Sequence, residues 1–160
     1  MKKFKMSSED FALQAMIATV YVVITFGLYP LSFGSPQIRI AEFMLILVFF
    51  NKKNAFGLLV GCAVANFLGT MGLVDVVFGT SASALAIYLM LKTPNKLLAF
   101  IWPPIINALV IGYQLNVMFQ LPLFLTMGEV FIGEFAATFL IAIFLLKPTL
   151  NNETMKRIFS

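Results

Sequence analysis

The sequence predicts an all-α integral membrane protein of six transmembrane helices, forming one membrane domain over residues 1–160. Three observations carry this. Hydrophobic residues make up 61% of the chain and charged residues 11%, whereas a soluble domain is about half apolar and a quarter charged. The mean hydropathy is +0.96. Polar or Pro/Gly breaks divide the apolar sequence into six runs, and the basic residues avoid every second connection between them.

The runs cover roughly 11–29, 37–51, 54–70, 74–91, 97–117 and 123–146. At about 1.5 Å per residue, most can cross a hydrocarbon core about 30 Å thick. The first follows the basic stretch Lys2-Lys3-Phe4-Lys5 and lacks a small-residue cleavage pattern, so it is expected to be a retained span rather than a signal peptide. Its Ala12, Ala15, Ala18 and Thr19 are small enough to let another helix approach closely, either from this chain or from a second membrane protein. The second run is short and is expected to start below the membrane surface, under a folded loop at 30–37. The fourth opens at Asp75, a position suited to capping a helix N-terminus. Pro103-Pro104 is expected to kink the fifth, where Trp102 is an interfacial anchor.

Orientation follows from the lysines. The N-terminal tail, the 51–54 turn, the 92–96 turn and the C-terminal tail hold ten of the eleven basic residues, and the connections at 30–37, 70–74 and 117–122 hold none. That alternation predicts six spans with both ends in the cytoplasm.

Acidic residues then acquire depth. Glu42, Asp75, Glu129 and Glu134 lie in or beside apolar spans, accompanied only by Arg39, and the topology puts all five on the external side. Intramembrane charge is costly and marks functional sites. Four acids against one guanidinium call for a partner that is cationic or rich in hydrogen-bond donors. The amides Asn66, Gln114, Asn116 and Gln37 cluster at the same level, with Asn107 deeper, which describes an external polar pocket closed below by apolar residues. Arg39 and Glu42, three apart, can meet on one helix face as an ion pair. Glu129 and Glu134 are about 140° apart around the axis and cannot both point at one pocket. Glu129, nearer the outside, is the first candidate ligand. Phe33 and Phe78, near the outer rim, are available to stack on a planar ring.

Several function classes fall away. The chain has no histidine and a single cysteine, Cys62, in an apolar segment; zinc sites, His-based triads and internal disulfides are excluded. Only one aspartate lies in the apolar body, so an aspartyl dyad is absent. No phosphate-binding glycine loop occurs, and any ATP energy must come from a partner. No cofactor or metal is expected, and the charge of +4 resides in ends and loops and does not indicate nucleic acid. An autonomous cation-coupled secondary transporter or a small channel remains an alternative to a solute receptor, although it needs charged relays in the inner half.

Three patterns read together resemble a known family: Tyr21-Val22-Val23-Ile24-Thr25, Gln37-Ile38-Arg39-Ile40-Ala41-Glu42, and Asn66-x-x-Gly69-x-x-Gly72-x-x-Asp75-x-x-Phe78-Gly79. They are similar to the QueT group of substrate-binding (S) components of energy-coupling factor transporters, associated with queuosine precursors. The family often has Gly-Gly where this chain has Gly69-Thr70, and a pair of alanines where it has Ala15-x-x-x-Thr19. The resemblance implies a multi-pass protein of the bacterial cytoplasmic membrane, with an external pocket. It also implies partners: a transmembrane coupling subunit, which would use the small-residue face of the first helix, and two cytosolic ATPases. A queuosine precursor is a 7-deazaguanine whose N1–H and exocyclic amine are parallel donors suited to a carboxylate, with Asn107 or Asn66 to read the ring oxygen. A second acid would serve a precursor carrying an aminomethyl cation.

Overall fold

A computed structural model of the protein describes residues 6–34 and 36–160; the basic stretch at Lys2, Lys3 and Lys5 lies outside them. In chain order the elements are α1 (Ser8–Gly27), α2 (Tyr29–Phe33), a 3-10 helix (Ile40–Phe49), α3 (Asn54–Phe67) and α4 (Leu73–Lys92). There follow α5 (Lys96–Ala99), α6 (Trp102–Phe119), α7 (Leu123–Phe135), a π turn (Ala136–Leu140), α8 (Ile141–Asn151) and α9 (Glu153–Phe159), with no strand among the described residues. Among the described residues, four helical stretches are long and apolar enough to cross a membrane: Ser8–Gly27, Leu73–Lys92, Lys96–Phe119 and Leu123–Asn151. Ile40–Phe49 and Asn54–Phe67 are apolar but shorter.

Local chemistry explains the boundaries. Ser7 and Asp10 form a reciprocal capping box at the start of α1, and Lys53 donates to the same Asp10 oxygen at 2.7 Å. Between α3 and α4, Gly72 takes φ +55°, a left-handed conformation that needs no Cβ. The fifth span, expected to kink at Pro103-Pro104, is interrupted just before them, at Phe100–Ile101. These prolines occupy the first turn of α6, where a missing N–H costs no helical bond, and the helix simply restarts there after the short α5. Asp75 is likewise not the N-cap of α4, which is Gly72 without a side-chain cap. Its Oδ2 instead accepts the Met71 N–H at 3.1 Å and holds the preceding turn.

The expected loop at 30–37 contains the one-and-a-half turns of α2, set by Pro30 in the first turn. Rings of Phe26, Tyr29 and Phe33 pack there, with centroids 4.8 to 6.1 Å apart. The second span is a 3-10 helix throughout. With about 2.0 Å rise per residue it reaches about 20 Å rather than the 15 Å of an α-helix of that length. This lets ten residues cover more depth.

Two helix crossings set the frame. α3 brings Gly57 and Gly61 against α1, where an added Cβ would stand 2.6 Å from the Gln14 carbonyl oxygen and 2.9 Å from that of Ala18, respectively. Gly61→Val is expected to destabilise the protein by about 1–3 kcal/mol, the usual cost of overpacking; unchanged thermal unfolding in detergent would show that this crossing is soft. α6 meets α7 where Gly112 faces Met127. Between these pairs runs the 3-10 helix, followed by an apolar core of Leu45, Ile46, Leu58, Met90, Phe100, Ala142 and Leu146. Phe100 is fully buried against Phe43 and Phe49.

At the end of the bundle with α9, Asn54 donates to the Leu47 and Phe159 carbonyls and accepts from Gln14. The opposite end carries α2, the 68–72 turn and the 120–122 turn, which border one cavity.

Candidate functional site

Three separate pieces of chain deliver buried charge to one place. Arg39 ends the extended stretch before the 3-10 helix, Glu42 lies in the first turn of that helix, and Glu134 is next to last in α7, just before the π turn. Arg39 is 8% exposed, Glu42 1% and Glu134 2%. They are close enough to interact electrostatically, and buried Asn107 of α6 stands beside the Glu134 carboxylate. Gly133 makes this approach possible: its missing side chain lets the Gln37 backbone rest on α7, with the carbonyl carbon 2.6 Å from where a Cβ would be.

The cluster is incompletely paired within the protein. Arg39 Nε, Glu42 Oε2 and Glu134 Oε2 are buried and have no hydrogen-bond partner among the described residues. The ion pair expected between Arg39 and Glu42 does not form; within 4.0 Å the ion pairs among the described residues are Lys53–Asp10 and Lys156–Glu153. Arg39 stands before the 3-10 helix with non-helical backbone angles (φ -91°, ψ 83°), so the helical spacing that would put it on one face with Glu42 does not apply. The Arg39 guanidinium instead lies 5.4 Å from the centroid of the Phe33 ring.

Glu42 is held by residues that hydropathy does not single out. Its Oε1 accepts the Tyr21 hydroxyl at 2.5 Å and the Ser83 hydroxyl at 3.4 Å. Ser83 also contacts Cys62 Sγ at 3.4 Å, and Asn66 donates to that sulfur at 3.3 Å. Asn66 therefore belongs to the scaffold behind Glu42, with its amide pressed against Gly79 of α4. The signal for Tyr21 was present in the sequence as the only tyrosine well inside the first span. A tyrosine buried in lipid-level core needs a partner for its hydroxyl.

Nearer the α2 end is a cavity of about 390 Å³ whose lining includes Phe33, Gln37, Thr70, Phe119, Thr126 and Glu129. Glu129 thus lies in the vestibule, one turn and more from Glu134, as their angular separation requires. Phe33 takes part in both regions; Phe78, half-buried on α4, is not one of the residues lining this cavity. Asp75 forms a further polar cluster with Gln114, whose Nε2 donates to Oδ1 at 2.6 Å, and with Thr70 and Met71. Gln114 Oε1 is another buried acceptor without a partner among the described residues.

The small residues of α1 divide between two faces. Ala18 is buried at the α3 crossing against Gly61, whereas Ala12, Ala15 and Thr19 are exposed. The Thr19 hydroxyl donates to the Ala15 carbonyl at 2.8 Å and so needs no outside partner.

A helical bundle with stretches of membrane-crossing length, buried charged groups and a cavity toward one end is a multi-pass membrane protein. Its relatives give the class a particular identity. The model of the QueT transporter family matches residues 11–150, and the chain belongs to that family. It is also 31% identical over 158 aligned positions to the queuosine precursor transporter QueT of Lactococcus lactis subsp. cremoris (strain MG1363), covering 88% of this chain and 90% of the relative. The family and this relative are transporters, not enzymes. No solved structure matches the chain.

Proposed function

We propose that the protein is the substrate-capture subunit of an energy-coupling factor importer in the bacterial cytoplasmic membrane. In this reading it has six spans with both ends in the cytoplasm. It takes a queuosine precursor of the 7-deazaguanine type from outside and passes it inward together with a transmembrane coupling subunit and two ATPases. The observation that carries the reading is the set of buried polar atoms on Arg39, Glu42 and Glu134 that lack partners among the described residues. Burying such groups unpaired costs several kcal/mol, and a donor-rich planar solute is what offsets that cost. Asn107, beside Glu134, is the amide placed to read the ring oxygen, while Asn66 is committed behind Glu42.

The named relative is a queuosine precursor transporter, which agrees with this chemistry. The vestibule containing Glu129 and Gln37 gives the solute its approach from the external face, and the exposed Ala12, Ala15 and Thr19 offer the coupling subunit a close-packing surface. A cation-coupled transporter or a channel needs a continuous polar path. Beyond the charged cluster, the axis is filled by Leu45, Ile46, Met90, Phe100 and Leu146, which argues against one.

Purified protein alone is expected to bind 7-deazaguanine compounds saturably at micromolar concentration or below, and not unrelated vitamins. A flat titration with the whole 7-deazaguanine series would overturn the reading.

A further inference from the structure

A cleft at the α9 end of the bundle, away from the carboxylate cluster, has no part in the solute reading. It sits where α4, a stretch of membrane-crossing length, ends at Lys92 and the next such stretch begins at Lys96, which places it at a membrane surface. Its volume is about 250 Å³. The lining includes Phe49 and Phe50 at the end of the 3-10 helix, Lys52 of the following turn, Met90 and Thr93 from the end of α4, and Lys96.

Local hydrogen bonds fix the segments that carry the two lysines. Asn51 Oδ1 accepts the Lys53 N–H at 3.0 Å across Lys52, and Asn95 Oδ1 accepts the Leu97 and Leu98 N–H groups at 2.9 and 3.1 Å beside Lys96. Trp102 Nε1 donates to the Thr93 hydroxyl at 2.8 Å, and that hydroxyl donates to the Leu89 carbonyl at 2.9 Å. Thr93 therefore keeps no hydroxyl proton for a ligand, and the ammonium groups are the side-chain donors of the cleft.

Charge here is one-sided. Asp10 is engaged by Lys53 and Glu153 by Lys156, each at 2.7 Å. Lys52 and Lys96 form no ion pair within 4.0 Å among the described residues, and no acid among them lines the cleft. The Lys96 Nζ lies 5.8 Å from the centroid of the Phe49 ring, over the apolar part of the lining. Two uncompensated ammonium groups on an apolar base suit an amphiphilic anion. A free phosphate has no use for Phe49, Phe50 and Met90, and a zwitterionic headgroup brings its own ammonium against the lysines.

We propose that this cleft binds the headgroup of an anionic phospholipid through Lys52 and Lys96, with the glycerol ester and first methylenes covering the apolar residues. Lys92 supplies the contrast. It falls between the lining residues Leu91 and Thr93 in sequence, yet its Nζ lies over Tyr88, 5.5 Å from the ring centroid, and it does not line the cleft. Diffuse attraction of anionic lipid to basic loops uses all three lysines alike, whereas a site uses two.

The test is a titration of the purified, delipidated full chain in neutral detergent at low salt, with bound lipid counted by native mass spectrometry. Phosphatidylglycerol is expected to bind at least about tenfold more tightly than phosphatidylcholine. Lys52→Gln and Lys96→Gln should each weaken it about fivefold, which is about 1 kcal/mol per lysine, while Lys92→Gln should stay within about twofold of the unaltered protein. Millimolar inorganic phosphate should not displace the lipid. Equal binding of the two lipids by the unaltered protein overturns the proposal, whether or not any variant folds. Equal losses in all three variants reduce the effect to diffuse attraction and overturn the site, and displacement by inorganic phosphate reassigns the cleft to a free anion.

Discussion

Arg39→Met is expected to lower the stability of the ligand-free protein by about 3 kcal/mol, the low end of the cost of breaking a buried charge arrangement. The low end applies because no ion pair within 4.0 Å joins Arg39 to either acid, so its contribution is a longer-range field. Without it, Glu42 and Glu134 confront each other in a site where both are at most 2% exposed. Methionine keeps most of the apolar stem and its packing near Phe33. The loss should show as a fall in midpoint of thermal unfolding in detergent. The double variant Arg39→Met with Glu134→Gln should recover much of it, because one of the two opposed charges is gone. Additive losses in the double variant would mean that the guanidinium does not compensate these acids.

Gly133→Ala should be destabilising by about 1–3 kcal/mol, against the usual trend. Replacing glycine by alanine inside a helix ordinarily gains about 0.5–1 kcal/mol. At this position the new Cβ runs into the Gln37 carbonyl, a backbone group that moves only with the chain leading to Arg39. Ligand affinity should fall with stability, since the displaced stretch carries the guanidinium. Gly128→Ala, five residues earlier, is the control: nothing lies within 4 Å of its added Cβ, and it should be neutral or stabilising. Equal behaviour of the two variants would refute the packing role of Gly133.

The apolar runs were legible because hydropathy over many residues is a robust signal, and all six reappear as helical segments. What hydropathy does not carry is winding. Ile40–Phe49 is wound as a 3-10 helix, and Arg39 falls just outside it in a non-helical conformation, which removes the expected Arg39–Glu42 pair. The prolines at 103 and 104 were read as a kink because the interruption at Phe100–Ile101, which makes them a helix start, has no polar or glycine marker. For the site, helical angles correctly separated Glu129 from Glu134. They could not say which faces inward, since that is decided by Gly133 meeting a backbone more than ninety residues away in sequence. Ser83 was invisible for a similar reason: one hydroxyl in an apolar span ordinarily bonds its own helix.

Helix α1 joins an exposed face to the buried interior. Ala12, Ala15 and Thr19 look outward, and two residues beyond Thr19 the Tyr21 hydroxyl reaches inward to Glu42. A helix behaves as a rod over such a span, so a neighbour that grips its outer side also holds one end of the 2.5 Å bond that orients the acid. Moving the rod by an ångström or more along that bond carries it out of hydrogen-bonding range. Thermodynamic linkage makes the effect mutual: if gripping α1 loosens the hold on solute, then solute in the site loosens the grip by the same factor.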